Sequence, residues 1–393
     1  MNKKIVFGIL FACWISFPIL SRAADPAFLA QRIDGPDEKW YGPFSEGCAV
    51  FDVNNDGVLD ITAGPFWYPG PEFVRHNLRE VKAHGEFISN GGEYPWDVNG
   101  DGWIDLISWG WFEDQNIYWY ENPGAARTLW RKYKIADSKN TEFVMFEDMD
   151  GDGDPDLLPN LWSPHKVVWI EMEQGIFTPH SAGAEEIRHG IGLGDVDGDG
   201  RKDILTTRGW YRAPRDAKTS WQWNPEYDIG ERASLPILVH DVNGDGLNDI
   251  IYGQAHDYGL FWLEQISKDG ERSWVQRTID DTWSQVHALV LFDINEDGQL
   301  DLITGKRLRG HSGKDPGALE PLGLYWYDMS RAPAAFSKHV LAYNAGIGTG
   351  MKIHMVDLDQ DGDADIVVSG KSGLYWLENM KQFGKTVDQI RRN

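Results

Sequence analysis

The amino-acid sequence predicts an all-β fold, a seven-bladed β-propeller of four-stranded antiparallel blades, and three observations carry that prediction. The pattern D-x-[D/N]-x-D-G-x-x-D recurs seven times, opening at Asp52, Asp97, Asp148, Asp195, Asp241, Asp293 and Asp357, at intervals of 45 to 64 residues. That is the repeat length of a propeller blade, and seven copies suffice to close a ring. An aromatic strand ending in an acid follows in phase, as Tyr118-Trp119-Tyr120-Glu121, Val168-Trp169-Ile170-Glu171, Phe261-Trp262-Leu263-Glu264, Tyr325-Trp326-Tyr327-Asp328 and Tyr375-Trp376-Leu377-Glu378. Finally, the last repeat runs out after its third strand, while Phe28–Asp34 near the N-terminus resembles Trp274–Asp280, a fourth strand.

Taken in chain order, the elements follow. Lys3 and Lys4 precede an apolar run from Ile5 to Leu20, and Ser21-Arg22-Ala23 has the small residues of a cleavage site, so residues 1–23 read as a signal peptide. Export to the periplasm or the medium is expected, with lipidation at Cys13 disfavoured because the apolar run continues past it. No later segment has the apolar length to span a bilayer. Residues 24–393 read as one propeller domain. Phe28–Asp34 is expected to complete blade seven and so remove the free sheet edges. Each blade then has a strand into the Asp loop, a second strand out of it (Leu302–Thr304, Ile366–Ser369), the aromatic third strand and a fourth (Trp274–Ile279, Phe336–Leu341). Cys48 is the only cysteine left after leader removal, so no intramolecular disulfide is available.

Acids at positions 1, 3, 5 and 9 around a tight turn are hard oxygen ligands for Ca²⁺. The candidates are Asp52, Asn54, Asp56 and Asp60; Asp97, Asn99, Asp101 and Asp105; Asp148, Asp150, Asp152 and Asp156; Asp195, Asp197, Asp199 and Asp203; Asp241, Asn243, Asp245 and Asp249; Asp293, Asn295, Asp297 and Asp301; and Asp357, Asp359, Asp361 and Asp365. Up to seven structural Ca²⁺ are expected; the bland reading is a set of acidic surface turns without metal. The loops are not EF-hands, because the Glu of position 12 is missing and the flanks are strands. A formal charge of −24 is explained by these loops and disfavours nucleic acid as a partner.

Nineteen tryptophans invite a sugar-stacking reading, but those on third strands keep the blade period and read as packing. Trp109, Trp111, Trp162, Trp210, Trp221 and Trp223 break the period and are expected opposite the Asp loops, around the ring mouth. Counting six residues back from each first Asp gives Glu46, Gly91, Glu142, His189, Leu235, His287 and Met351 at the start of the inner strands. Two histidines and two carboxylates at one height suit a divalent metal or shared acid–base work; hydrogen bonding between blades is the plain alternative. The longest interval holds a basic insertion, Gly305 to Pro321, with Lys306, Arg307, Arg309, His311 and Lys314 beside Asp315 and Glu320. His256 and Asp257 occupy the matching place in blade five.

The Asp-rich repeat resembles the FG-GAP/VCBS repeat of integrin-type propellers. The stretch from Gly305 to Asp328, with Gly348-Thr349-Gly350-Met351 and Gly370-Lys371-Ser372-Gly373-Leu374-Tyr375-Trp376, resembles the propeller domain of the aldos-2-ulose dehydratase (1,5-anhydro-D-fructose dehydratase) family and its bacterial relatives. That resemblance implies removal of water from keto sugars. The expectation is an exported lyase or dehydratase whose partner is a carbohydrate or other small molecule. His287 or His189 would take the proton α to a carbonyl, and Lys306, Arg307 or one catalytic divalent metal held with Glu142 would stabilise the enolate. His311 would protonate the leaving group. Trp109, Trp111, Trp162, Trp210, His256, Asp315 and Glu320 would contact substrate. The rival is a non-catalytic, Ca²⁺-dependent glycan- or protein-binding propeller.

Overall fold

Alternating apolar residues with turn signals every few positions make short strands, and the chain folds into seven four-stranded antiparallel sheets. The computed structural model describes residues 26–36, 44–85, 87–111, 114–126, 128–137, 141–160, 166–184 and 189–381. The expected leader, Trp162 and the C-terminal tail lie outside the described residues.

The blades follow the Asp-loop count. Blade one holds Ala49–Phe51, Asp60–Ala63, Phe66–Tyr68 and His76–Asn77, and blade six holds Val286–Phe292, Asp301–Lys306, Gly323–Arg331 and Ala334–Tyr343. Blade seven takes Ile353–Val356, Asp365–Gly370 and Gly373–Asn379 from the end of the chain and Phe28–Asp34 from its start. The closing strand pairs antiparallel, Phe28 opposite Asn379 and Arg32 opposite Tyr375, as the sequence predicts. A small hairpin, Ala83–His84 with Phe87–Ile88, was not legible as a separate sheet. Among the described residues no helix is long and apolar enough to cross a membrane.

Buried apolar residues gather into seven clusters, one at each blade-to-blade interface. Between blades six and seven, for example, Ile303, Leu324 and Trp326 meet Ile366, Val368 and Leu377. The in-phase Trp169, Trp262 and Trp326 are buried in these seams, which bears out their reading as packing residues.

Candidate functional site

The inner strands converge at one end of the ring, where Glu142, His189 and His287, each six positions before an Asp loop, meet His256, which follows the second strand of blade five. Glu142, His189, His256 and His287 come from successive blades, three to six. Each places one nitrogen or oxygen within 4.8 Å of the others. The imidazole centroids of His189 and His256 are 4.8 Å apart, those of His256 and His287 4.8 Å, and those of His189 and His287 5.5 Å. All three histidines are buried.

Hydrogen bonding sets the tautomers. His189 Nδ1 lies 2.5 Å from the Ala233 carbonyl, which only accepts, so Nδ1 carries a proton. Its Nε2 lies 2.7 Å from Glu142 Oε2. A lone pair facing a carboxylate oxygen at that distance requires a proton or a metal cation between them. Burial works to raise the Glu142 carboxyl, but His189 and Arg307 hold it well below the usual carboxylate range. His256 donates from Nδ1 to Asp315 Oδ2 at 2.7 Å, while its buried Nε2 has no hydrogen-bond partner among the described residues. Burial, followed by the neighbouring His189, lowers His256 to about 3. A carboxylate behind one imidazole nitrogen and an open lone pair in front is the arrangement by which histidine ligates metal. The donor set of Glu142, His189 and His256 therefore fits a divalent cation of the kind that accepts nitrogen and oxygen ligands.

Arg307 anchors the other side. Its Nε and Nη2 donate to the two oxygens of Glu46 at 2.7 and 2.8 Å, and Nη1 donates to His287 Nε2 at 2.8 Å. His287 is thereby held neutral with its lone pair in use; burial and the Arg307 charge push it well below the ordinary imidazole value. Successive residues of a strand point to opposite faces, so Lys306 faces away and its Nζ donates to Ser284 Oγ at 2.7 Å. Lys306 thus joins a buried pocket between blades rather than the histidine cluster.

The insertion between the second and third strands of blade six covers the cluster. His311 Nδ1 donates to Asp315 Oδ1 at 2.8 Å, so one carboxylate bridges His256 and His311, whose rings stack at 4.2 Å. His311 is about half exposed and has φ of 45°, and Arg309 and Ser312 share this left-handed conformation at 49° and 59°. Three such non-glycine residues in four positions are costly and mark a segment held in place by its surroundings. Glu320 accepts from the Tyr258 hydroxyl at 2.5 Å on the rim. Trp109, Trp111 and Trp210 are buried, so they do not form an open stacking surface at the mouth. Trp109 Nε1 donates to the Glu142 carbonyl at 3.0 Å, and the Trp111 ring lies 5.7 Å from the Arg307 guanidinium, so both support the cluster from behind. Trp210 donates to Glu226, away from it. A second buried network joins Arg79 to Glu93 and Asn90; Glu93 lies four residues before its Asp loop, where the other repeats carry Cys48, Val144, Ile191, Ile237, Leu289 and Ile353.

The Asp loops divide into two functions. At position 1, Asp52 accepts the amides of Asp56 and Gly57 at 3.1 and 2.8 Å, and the pattern repeats around the ring. At position 9, Asp60 is buried and accepts the amides of Val53 and Gly70 at 3.0 and 2.9 Å, tying the loop to the end of the third strand. Burial pushes these position-9 carboxyls up, Asp60 to about 6 and Asp249 to about 7. The two Asp52 oxygens, with one amide each, keep a second lone pair, so the first loop retains room for Ca²⁺, whereas Asp148 Oδ1 and Asp241 Oδ1 each accept two amides. In loop four, however, protein cations already reach the acids: Arg212 Nε is 2.6 Å from Asp197, and its Nη2 is 2.9 Å from Asp199. Lys218 likewise lies 2.9 Å from Asp150 of loop three.

A family model described as an FG-GAP-like repeat matches residues 97–158 and 241–304. The chain carries FG-GAP-like repeats. No curated protein matches it significantly in sequence. Among solved structures, it is similar to the exotype rhamnogalacturonan lyase YesX at 11% identity, over 90% of this chain and 75% of that one, with a TM-score of 0.48. BBS1N in complex with ARL6DN is similar at 12% identity, over 91% and 97%, with a TM-score of 0.49. The extracellular domain of a putative hybrid two component system from B. thetaiotaomicron gives 13%, 89% and 39%, with a TM-score of 0.50. The last of these is a likeness of fold alone. These findings bear out the repeat and do not single out the dehydratase propeller.

Proposed function

We propose that this protein is a carbohydrate-active lyase or dehydratase that performs β-elimination on a keto sugar or oxidised glycan at the propeller mouth. The observation that carries the reading is the buried, unpartnered Nε2 of His256, set beside the facing His189 and Glu142 acceptors. Glu142, His189 and His256 would hold a divalent metal, which when bound supplies Lewis-acid polarisation of a carbonyl.

The remaining residues divide the work. Asp315 fixes the His256 tautomer and orients His311 through its two oxygens. His311 reaches solvent, donates from Nδ1 and therefore carries its lone pair on Nε2; it takes the proton α to the carbonyl. The C–H pair becomes the new C=C bond, the β C–O bond breaks, and the same proton passes from Nε2 to the leaving oxygen. No oxidant or reductant is needed. This assigns to His311 both the base role first expected of His287 or His189 and the acid role, because Arg307 consumes the His287 lone pair. Arg307 and Glu46 keep the cluster rigid. Structural Ca²⁺ in the Asp loops and a periplasmic or secreted location complete the reading.

The test offers the purified chain, with Ca²⁺ and separately Zn²⁺, Mn²⁺ or Mg²⁺, both keto sugars and uronic-acid glycans while absorbance of a new conjugated product is followed. Activity is expected with wild type, at least ~100-fold lower in His311→Ala, and metal content is expected to fall in Glu142→Gln and His189→Ala. Silence across both substrate classes, or full activity in His256→Ala, would refute the reading.

A further inference from the structure

The face bearing the Asp loops, at the opposite end of the strands from the histidine cluster, has a cleft of its own. It lies between blades one and two and encloses about 540 Å³. Trp67, Trp103 and Trp130 line it, with Asn77, His76 and Thr128 at the edge. Trp67 and Trp103 are half-buried, and Trp103 comes from position 7 of the second Asp loop. Among the described residues the indole N–H groups of Trp103 and Trp130, the Asn77 amide and the Thr128 hydroxyl make no hydrogen bond within the chain, so aromatic surface and free polar groups share one concavity.

The frame is rigid. Asn122 donates to the carbonyls of Val53 and Ile104 at 3.0 and 2.9 Å and accepts the Gly124 amide at 3.0 Å, which joins the two blades and shapes the turn beneath the cleft. Gly124 is needed there: its φ is +57°, and a Cβ would lie 2.9 Å from the Trp103 ring. A second depression of about 490 Å³ adjoins it and shares Trp103, Asn122, Gly124 and Thr128, but Asp101, Glu121 and Arg131 line it too, so the neutral surface is that of the first cleft.

Charge selects the ligand. One quarter of the whole chain is Asp, Glu, Lys or Arg, yet none of the fourteen residues lining the first cleft is charged. The acids of the first two Asp loops stand beside it, which disfavours nucleotides and other anions. Tryptophan faces with neutral amide and hydroxyl groups match the alternating C–H faces and hydroxyl edges of a pyranose chain. We propose that this cleft is a non-catalytic binding site for a neutral oligosaccharide, distinct from the mouth.

Calorimetric titration of the full chain in Ca²⁺ buffer with cellohexaose, xylohexaose and maltohexaose, against oligogalacturonate as the anionic probe, tests it. At least one neutral oligosaccharide is expected to bind in preference to the anionic one. Trp103→Ala should weaken that binding at least ~tenfold, Asn77→Ala severalfold, and His256→Ala not at all. Both cleft substitutions should leave the melting temperature unchanged, so that loss of binding is not loss of fold. No heat with any neutral probe, preference for oligogalacturonate, unchanged affinity in both cleft variants or loss in His256→Ala overturns the proposal. None of these outcomes depends on elimination activity at the mouth.

Discussion

Lys306 and Arg307 are neighbours whose surroundings have nothing in common. Arg307 enters a buried ion pair with Glu46 and lends a proton to His287, whereas Lys306 is buried against Ser284 with no carboxylate in hydrogen-bond contact. Burial pushes the Lys306 ammonium down to about 8, so its charged form is disfavoured in the folded state. Between that value and the free-lysine value of about 10.4 the unfolded chain binds more protons, and stability rises with pH. Lys306→Met is therefore expected to stabilise the protein on the order of 2 kcal/mol near neutrality, with the advantage shrinking above about pH 8. Urea midpoints near pH 7 and near pH 9.5 check this; a difference that does not change with pH would show that the amine is solvated. The sequence placed both residues in a basic insertion on the ligand face. It did not separate them, because the alternation of a strand becomes informative only when one knows which face meets the channel.

At the scale of the element, the Asp loop proved to be two devices in one motif. Asp60 and its equivalents are buried staples between strands, while positions 1, 3 and 5 form the outer acidic cage. All were legible as a ligand set from spacing alone; the division was not, because only the partner amides Val53 and Gly70 reveal it. Loops three and four differ further, since Lys218, between the third and fourth strands of blade four, and Arg212, at the end of its third strand, extend into their carboxylates. A guanidinium that neutralises Asp197 and Asp199 competes with Ca²⁺ for the same oxygens. Arg212→Ala should thus tighten Ca²⁺ binding at loop four, adding about one ion per chain at limiting Ca²⁺ in equilibrium dialysis. Equal stoichiometry and affinity in both proteins would remove Arg212 from any role in occupancy.

Over the whole molecule, the ring is held by seven equivalent interfaces and one non-local pairing, Phe28–Asp34 on Gly373–Asn379. That strand is the clasp, and its loss leaves an open edge of unpaired amides. Deletion of residues 28–34 is expected to lower the melting temperature by ~10 °C or more and to promote self-association. Calorimetry and size-exclusion chromatography read both effects, and an unchanged melting temperature would mean that blade seven is stable with three strands. The sequence by itself determined the number of blades, their strand order and the closing segment, because period, turn chemistry and strand alternation are local properties repeated along the chain. Only the tertiary structure decided that His256 joins Glu142, His189 and His287 at one centre, that Arg307 takes the lone pair of His287, and that Asp315 serves two histidines at once. Those partnerships join residues from different blades, and their distances and directions arise from the closure of the ring.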